Sequence, residues 1–158
     1  GYYNHPEKEC ICGPGVVQRY LSKISGPLLD RIDIHIEVVP VPFEKLSEEE
    51  EAEKSENIRL RVMAARNIQL ERFKNEPGIH CNSQMSSRLL RQHAQLGEEA
   101  SQRLKAAMLK MNLSARAYDR ILKVARTIAD LDNSEKIQTH HIAEAINYRN
   151  LDREGWAG

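Results

Sequence analysis

The chain has 158 residues, room for one domain or two small ones, and is 41% hydrophobic and 29% charged. Its 23 Lys and Arg balance 23 Asp and Glu, so no overall field draws it to nucleic acid or to an anionic membrane, and any such binding must rest on a local patch. No apolar run approaches a membrane span. The three cysteines make no disulfide framework, and the location expected is cytoplasmic.

Gly1-Tyr2-Tyr3-Asn4-His5-Pro6 carries no helix or strand signal and reads as the inside of a loop, as in a piece of a longer protein. Residues 1–15 are read as loop. Over 16–24, Val16, Val17, Tyr20, Leu21 and Ile24 recur at helical spacing, with Pro14 just before and a break at Gly26-Pro27 just after. Ile32, Ile34, Ile36 and Val38 then alternate with Asp33, His35, Glu37 and Val39, the period of a half-buried strand, which Pro40 and Pro42 stop. Arg31 stands at the mouth of this predicted strand. A guanidinium on a rigid element is well placed to reach a phosphate, while an ion pair with the adjacent aspartates is the plainer reading.

The composition changes near residues 40–47. Ser47-Glu48-Glu49-Glu50 has capping-box spacing and opens a glutamate-rich helix start or linker. Beyond it, helices are predicted over 55–74, ended by Pro77-Gly78; from Ser83 or Ser86 to Leu96, stopped by Gly97; and over 98–110, broken by Asn112. Two more are predicted over 115–131, capped by Ser114 and ended by Asn133, and over 139–149. The 115–131 segment is the most sharply patterned, with Ala117, Ile121, Val124, Ala125, Ile128 and Leu131 forming its apolar stripe. The expected fold is mainly α: a helix bundle, preceded by a short helix-strand remnant of an α/β unit.

Few residues offer chemistry. On the polar side of the 115–131 helix, Arg116, Arg120, Lys123 and Thr127 form one ridge, with Asp119 placed to pair with Lys123. This is either a solvated basic face or a means for Arg116, in the first helical turn, to reach a phosphate. Cys10-Ile11-Cys12 offers two soft ligands but lacks the second pair a structural zinc site needs, so unligated thiols are the simpler reading. His140 and His141 are neighbours on a helix and make a poor metal pair. No Gly-x-Ser-x-Gly and no phosphate-cradling Gly-x-x-x-x-Gly-Lys-Ser/Thr occurs.

Residues Gln18–Asp33 resemble the end of the AAA+ core in magnesium chelatase-like ATPases, above all the YifB/ComM group. Leu113–Leu131 is similar to the lid helix of those proteins, and His141–Arg149 to the helix that closes the lid. The resemblance implies 1–42 as the tail of the α/β core, 43–54 as an acidic linker and helix start, 55–152 as the helical lid domain, and 153–158 as a tail. It implies Arg31 as the arginine finger acting in trans on a neighbouring subunit. It implies Arg116 as the sensor-2 residue that meets the γ-phosphate of the subunit's own ATP. It further implies ATP and Mg2+ as cofactors of the intact protein, a hexameric ring, DNA as partner in branch migration during natural transformation, and no membrane. Cys10 and Cys12 would be half of a four-cysteine zinc arrangement. The Walker motifs of the family would lie upstream, so this stretch alone is expected to be inactive and to hold no cofactor. Two other readings stand beside it: a helical module binding protein or nucleic acid through Arg116, Arg120 and Lys123, and a metal-chelatase motor subunit.

Overall fold

The computed structural model describes residues 1–3, 5, 7–38, 40–41 and 52–149. The capping-box stretch Ser47–Glu50, the strand end Val39 and the tail 153–158 lie outside the described residues. Seven α-helices occur among the described residues: α1 (Pro14–Leu21), α2 (Gly26–Leu29), α3 (Ser55–Arg72), α4 (Ser87–His93), α5 (Glu98–Lys110), α6 (Ala115–Leu131) and α7 (Thr139–Asn147). A 3-10 turn, Asn82–Gln84, precedes α4.

The helix ends follow from short polar side chains. Ser114 accepts a hydrogen bond from the Ala117 amide at 3.2 Å and so caps α6, and Ser86 does the same for α4 through Leu89. Asn112 and Asn133 sit at φ 48° and 51°, the left-handed region that asparagine tolerates. Each closes its helix with a pair of backbone bonds: Leu113 to Met108 and Asn112 to Leu109, then Ser134 to Ala129 and Asn133 to Asp130. An isolated parallel bridge between Leu96 and Ile137 sets the starts of α5 and α7 side by side.

α6 is the centre of the bundle. α3, α4, α7 and the 3-10 turn pack on it, and α5 packs on α7. The core is one cluster that includes Phe73, Met85, Leu89, Leu90, Leu104, Ile121, Leu122, Ile137 and Ile142, with alanines 100, 125, 129 and 145 where backbones approach closely.

A polar network lies against this core. The buried Asp130 carboxylate accepts from Arg72 through both guanidinium branches, from Arg126 Nε at 3.1 Å and from Asn82 Nδ2 at 2.8 Å. Asn82 also accepts from Arg72 at 2.8 Å, and its amide donates to Gln69 Oε1 at 3.1 Å. Arg126 spends its remaining donors on the carbonyls of Glu135 and Ser134, just past the end of α6.

Three expectations are corrected. The predicted strand is an extended stretch without a ladder, because no second strand exists among the described residues to supply its hydrogen bonds. Its alternation is inverted and short: Asp33 is half-buried and His35 buried, while Ile34, Ile36 and Val38 are exposed at 47%, 68% and 87% and Glu37 is exposed with them. Leu131 is 47% exposed and leaves the α6 stripe, whereas Arg126 and Asp130 join the buried face. Gly26-Pro27 begins a four-residue helix rather than a break, since proline suits a first helical turn.

Asp130→Ala strands two cations that are largely out of water, so unfolding by urea is expected to show a loss of about 3–5 kcal/mol. A milder acid effect comes from His93, whose imidazole packs edge-on against Phe73. Burial, and then the Arg72 charge, hold its pKa below the ordinary value. The unfolded chain therefore takes up this proton before the folded one does. The stability that His93 contributes is present above about pH 6.5 and declines as pH falls from there toward the lowered folded value. Thermal melts of His93→Gln between pH 7 and 5 should show a shallower decline than wild type.

Candidate functional site

The polar ridge of α6 does not behave as one surface. Thr127 accepts from Asn82 Nδ2 at 3.0 Å and donates to the Lys123 carbonyl, so it belongs to the buried network. Lys123 donates to the Ser83 carbonyl at 2.8 Å and holds the 3-10 turn, and no ion pair with Asp119 forms. Arg120 makes an ion pair with Asp33, 87 residues away. Only Arg116 among the four is exposed and without a partner among the described residues. It stands in the first turn of α6, where the helix dipole disfavours a cation by about 0.3–1 kcal/mol and favours an anion. A lone guanidinium there adds its donors to a helix end already suited to phosphate oxygens.

Arg31 lies on a strap, residues 30–35, which crosses the end of the helical unit. Arg149 is fully buried and donates to the Ile32 carbonyl, and its Nη2 lies 4.0 Å from Asp30 Oδ1. The His35 amide donates to the Tyr148 carbonyl at 2.7 Å. Asp33 is held by Arg120. Between these anchors Arg31 is exposed, and its Nη1 donates to the Pro27 carbonyl at 2.8 Å. The plainer reading of Arg31, an ion pair with a neighbouring aspartate, does not hold: Asp30 and Asp33 face other arginines.

Neither Arg120 nor Arg149 stands out as an anchor when the chain is read by hydropathy. The signal for Arg149 is its phase: it follows Ile142, Ala145 and Ile146 on one helical face, and an arginine in an apolar stripe calls for a buried partner.

Cys10 and Cys12 are half-exposed free thiols. Hydrogen bonds from the Cys12 and then the Tyr2 backbone pull the Cys10 thiol below its ordinary pKa. Two thiols are half of a structural zinc set, and no third ligand joins them among the described residues. These residues by themselves do not fit the metal.

Three other ligand-type residues do converge. Asp132, His140 and His141 place ligand atoms within 4.8 Å of one another, with the two imidazole centroids 4.0 Å apart. Sequence adjacency had argued against such a meeting, but Asp132 at the end of α6 reaches both rings at the start of α7. The tautomer decides what the cluster is. The Gln138 backbone N–H can only donate, and it points at His141 Nδ1 at 3.0 Å, so Nδ1 is bare. The proton is on Nε2, which donates to Asp132 Oδ2 at 3.1 Å. A metal at Nε2 would leave both ring nitrogens without a proton, so the cluster is a helix cap rather than a metal site. The hydrogen bond from His141, then that from His140, lowers the Asp132 pKa. His141→Ala is expected to cost about 1–2 kcal/mol, the value of a lost cap, and micromolar Zn2+ should leave the wild-type melting temperature unchanged. A saturable upward shift with Zn2+ would overturn the tautomer argument.

Comparison with known proteins places the whole stretch. The profile of the magnesium chelatase subunit ChlI C-terminal domain matches residues 52–149, and that of magnesium chelatase subunit ChlI matches residues 1–46. The chain is 40% identical over 154 residues to the uncharacterized protein YifB of Escherichia coli, covering 97% of this chain and 29% of that protein. It is 39% identical over 141 residues to the competence protein ComM of Haemophilus influenzae, covering 89% and 27%. An uncharacterized protein of Mycobacterium tuberculosis is 32% identical over 142 residues, covering 90% and 28%. The chain thus spans less than a third of the length of these relatives. No helix among the described residues is long and apolar enough to cross a membrane.

Proposed function

The chain belongs to the magnesium chelatase-like family, in its YifB/ComM group, and from that premise we propose that it is the C-terminal, lid-bearing part of an ATP-driven AAA+ ring motor that acts on DNA. The observation that carries the reading is the isolation of Arg116. Three of four polar residues on the ridge of α6 are committed to structure, and the fourth stands at the helix end that favours phosphate. In the intact protein Arg116 donates to the γ-phosphate oxygens of the subunit's own ATP. Arg31, held at the surface of the strap, donates to the transferring phosphoryl group in the neighbouring subunit. Both guanidiniums stay protonated throughout; they offset charge and carry no proton to or from the reacting water.

A phosphate-cradling loop is not among these 158 residues, so ATP, Mg2+, the ring and the DNA substrate belong to the intact protein in this reading. The competence name of one relative supports DNA as the substrate. The commitment of Arg120 and Lys123 to Asp33 and Ser83 speaks against a basic docking face for nucleic acid on this part alone.

In the full-length protein, Arg31→Ala and Arg116→Ala should each lower the ATP turnover by about two orders of magnitude or more. Mixing Arg31→Ala subunits with subunits defective in nucleotide binding should restore part of the rate, because the finger acts across the subunit boundary. Wild-type turnover in both single variants would overturn the assignment.

A further inference from the structure

We propose that Arg120, Asp33 and Arg149 form a clamp that ties the position of Arg31 to the helix carrying Arg116, so that one subunit's contact with its own nucleotide sets the reach of its arginine into the next. The inference rests on the reading of those two arginines given above, and it names positioning residues for that site.

The geometry is specific. Arg116 and Arg120 are four residues apart, hence on one face of α6 and about 6 Å along its axis. Arg120 grips Asp33, two residues beyond Arg31. On the other side Arg149, at the end of α7, takes the Ile32 carbonyl and faces the Asp30 carboxylate. The Tyr148 carbonyl takes the His35 amide at 2.7 Å. Every anchor on the strap is therefore met by α6 or by the end of α7, and these two helices pack directly on each other. Arg31, inside the anchored span, is exposed, with its Nη1 donating to the Pro27 carbonyl at 2.8 Å.

A helix moves as a rigid body on the scale of one turn. A shift of Arg116 toward or away from a phosphate displaces Arg120 with it, and Arg120 carries Asp33 and the strap. Coupling of this kind is reciprocal: engagement of Arg31 by a neighbour biases the nucleotide contact at Arg116 by the same free energy.

Two measurements test the proposal. On the 158-residue chain, Asp33→Ala should speed hydrogen exchange at the His35 amide while leaving the amides of α6 protected; unchanged exchange at residue 35 would overturn the clamp. On the full-length protein, Asp33→Ala should lower kcat by about tenfold, leave KM for ATP within about twofold, and reduce cooperativity in ATP. The exchanged pair Asp33→Arg with Arg120→Asp should recover part of kcat. A wild-type kcat and Hill coefficient in Asp33→Ala, with Arg31→Ala and Arg116→Ala inactive, would overturn the coupling while leaving the motor reading intact. Full activity in Arg31→Ala and Arg116→Ala would instead remove the motor reading, and hydrogen exchange would still decide whether the clamp exists.

Discussion

The fold depends on one buried carboxylate shared by two guanidiniums and a carboxamide. Asp130 draws α3 through Arg72, the 3-10 turn through Asn82, and α6 through Arg126 to a single point. Two cations against one anion leave a surplus positive charge. The structure places it where carbonyls are in excess: Arg126 reaches the carbonyls of Ser134 and Glu135 beyond the end of α6, the negative end of the helix dipole. Such networks add little net stability compared with apolar packing, yet breaking one is costly. Their effect is on register. Sliding α3 by one residue along α6 would take Arg72 away from both Asp130 and the Asn82 side-chain oxygen, leaving a buried carboxylate and carboxamide short of donors.

Fixing α3 and the turn to the far half of α6 leaves the near half free for other work. Its buried stripe, Ala117 and Ile121, meets the core. Its ridge offers Arg120 to the strap and Arg116 to solvent. One helix therefore serves as core element along its whole length, as network platform in its second half and as strap anchor in its first half, where Arg116 stays exposed. Lys123 marks the border: it holds the Ser83 carbonyl of the turn that Asn82 opens. The network in the second half of α6 and the strap anchor in the first half are continuous through helical backbone.

What the sequence made legible follows from how local each signal is. Ser114, Asn112 and Asn133 act on amides within a few residues, and they bound α5 and α6 where expected. The apolar period located α4 to α7, whose stripes are buried, whereas α3 lies where expected but buries only Ala65 and Gln69, with Ile58 and Val62 exposed at 41% and 47%. The Asn82 and Arg72 links to Asp130 were invisible to the same reasoning, since hydropathy places charged and amide groups outside and these partners lie 48 and 58 residues apart in the chain. Leu131 failed in the opposite sense, as a leucine on the last turn whose position the closing Asn133 turns to solvent. Around Arg31 the alternation was legible but its phase was not. With no neighbouring strand among the described residues to cover them, Ile34 and Ile36 stay out, while the Asp33 carboxylate meets Arg120 and the His35 backbone amide meets the Tyr148 carbonyl. Periodicity reports that two faces differ; which face is buried depends on what lies opposite.

The way the strap is held bears on how it works. The buried residues of the main core cluster run from 73 to 145, with none from the described residues before 42. Leu21, Leu29 and His35 are buried outside it. Outside that cluster, Arg120, Arg149 and the Tyr148 carbonyl fasten the strap to the helical unit through an ion pair and hydrogen bonds. Partly exposed ion pairs such as Arg120–Asp33 contribute modestly, of order 1 kcal/mol or less. The Arg120 contact can be released without unfolding the bundle, whereas releasing the fully buried Arg149 would take a buried cation away from the Ile32 carbonyl. A strap joined through the core would move only when the domain melts. One joined through Arg120 and Arg149 is held at one anchor by a partly exposed ion pair and at the other by a buried arginine, so the Arg120 side is the more easily released of the two.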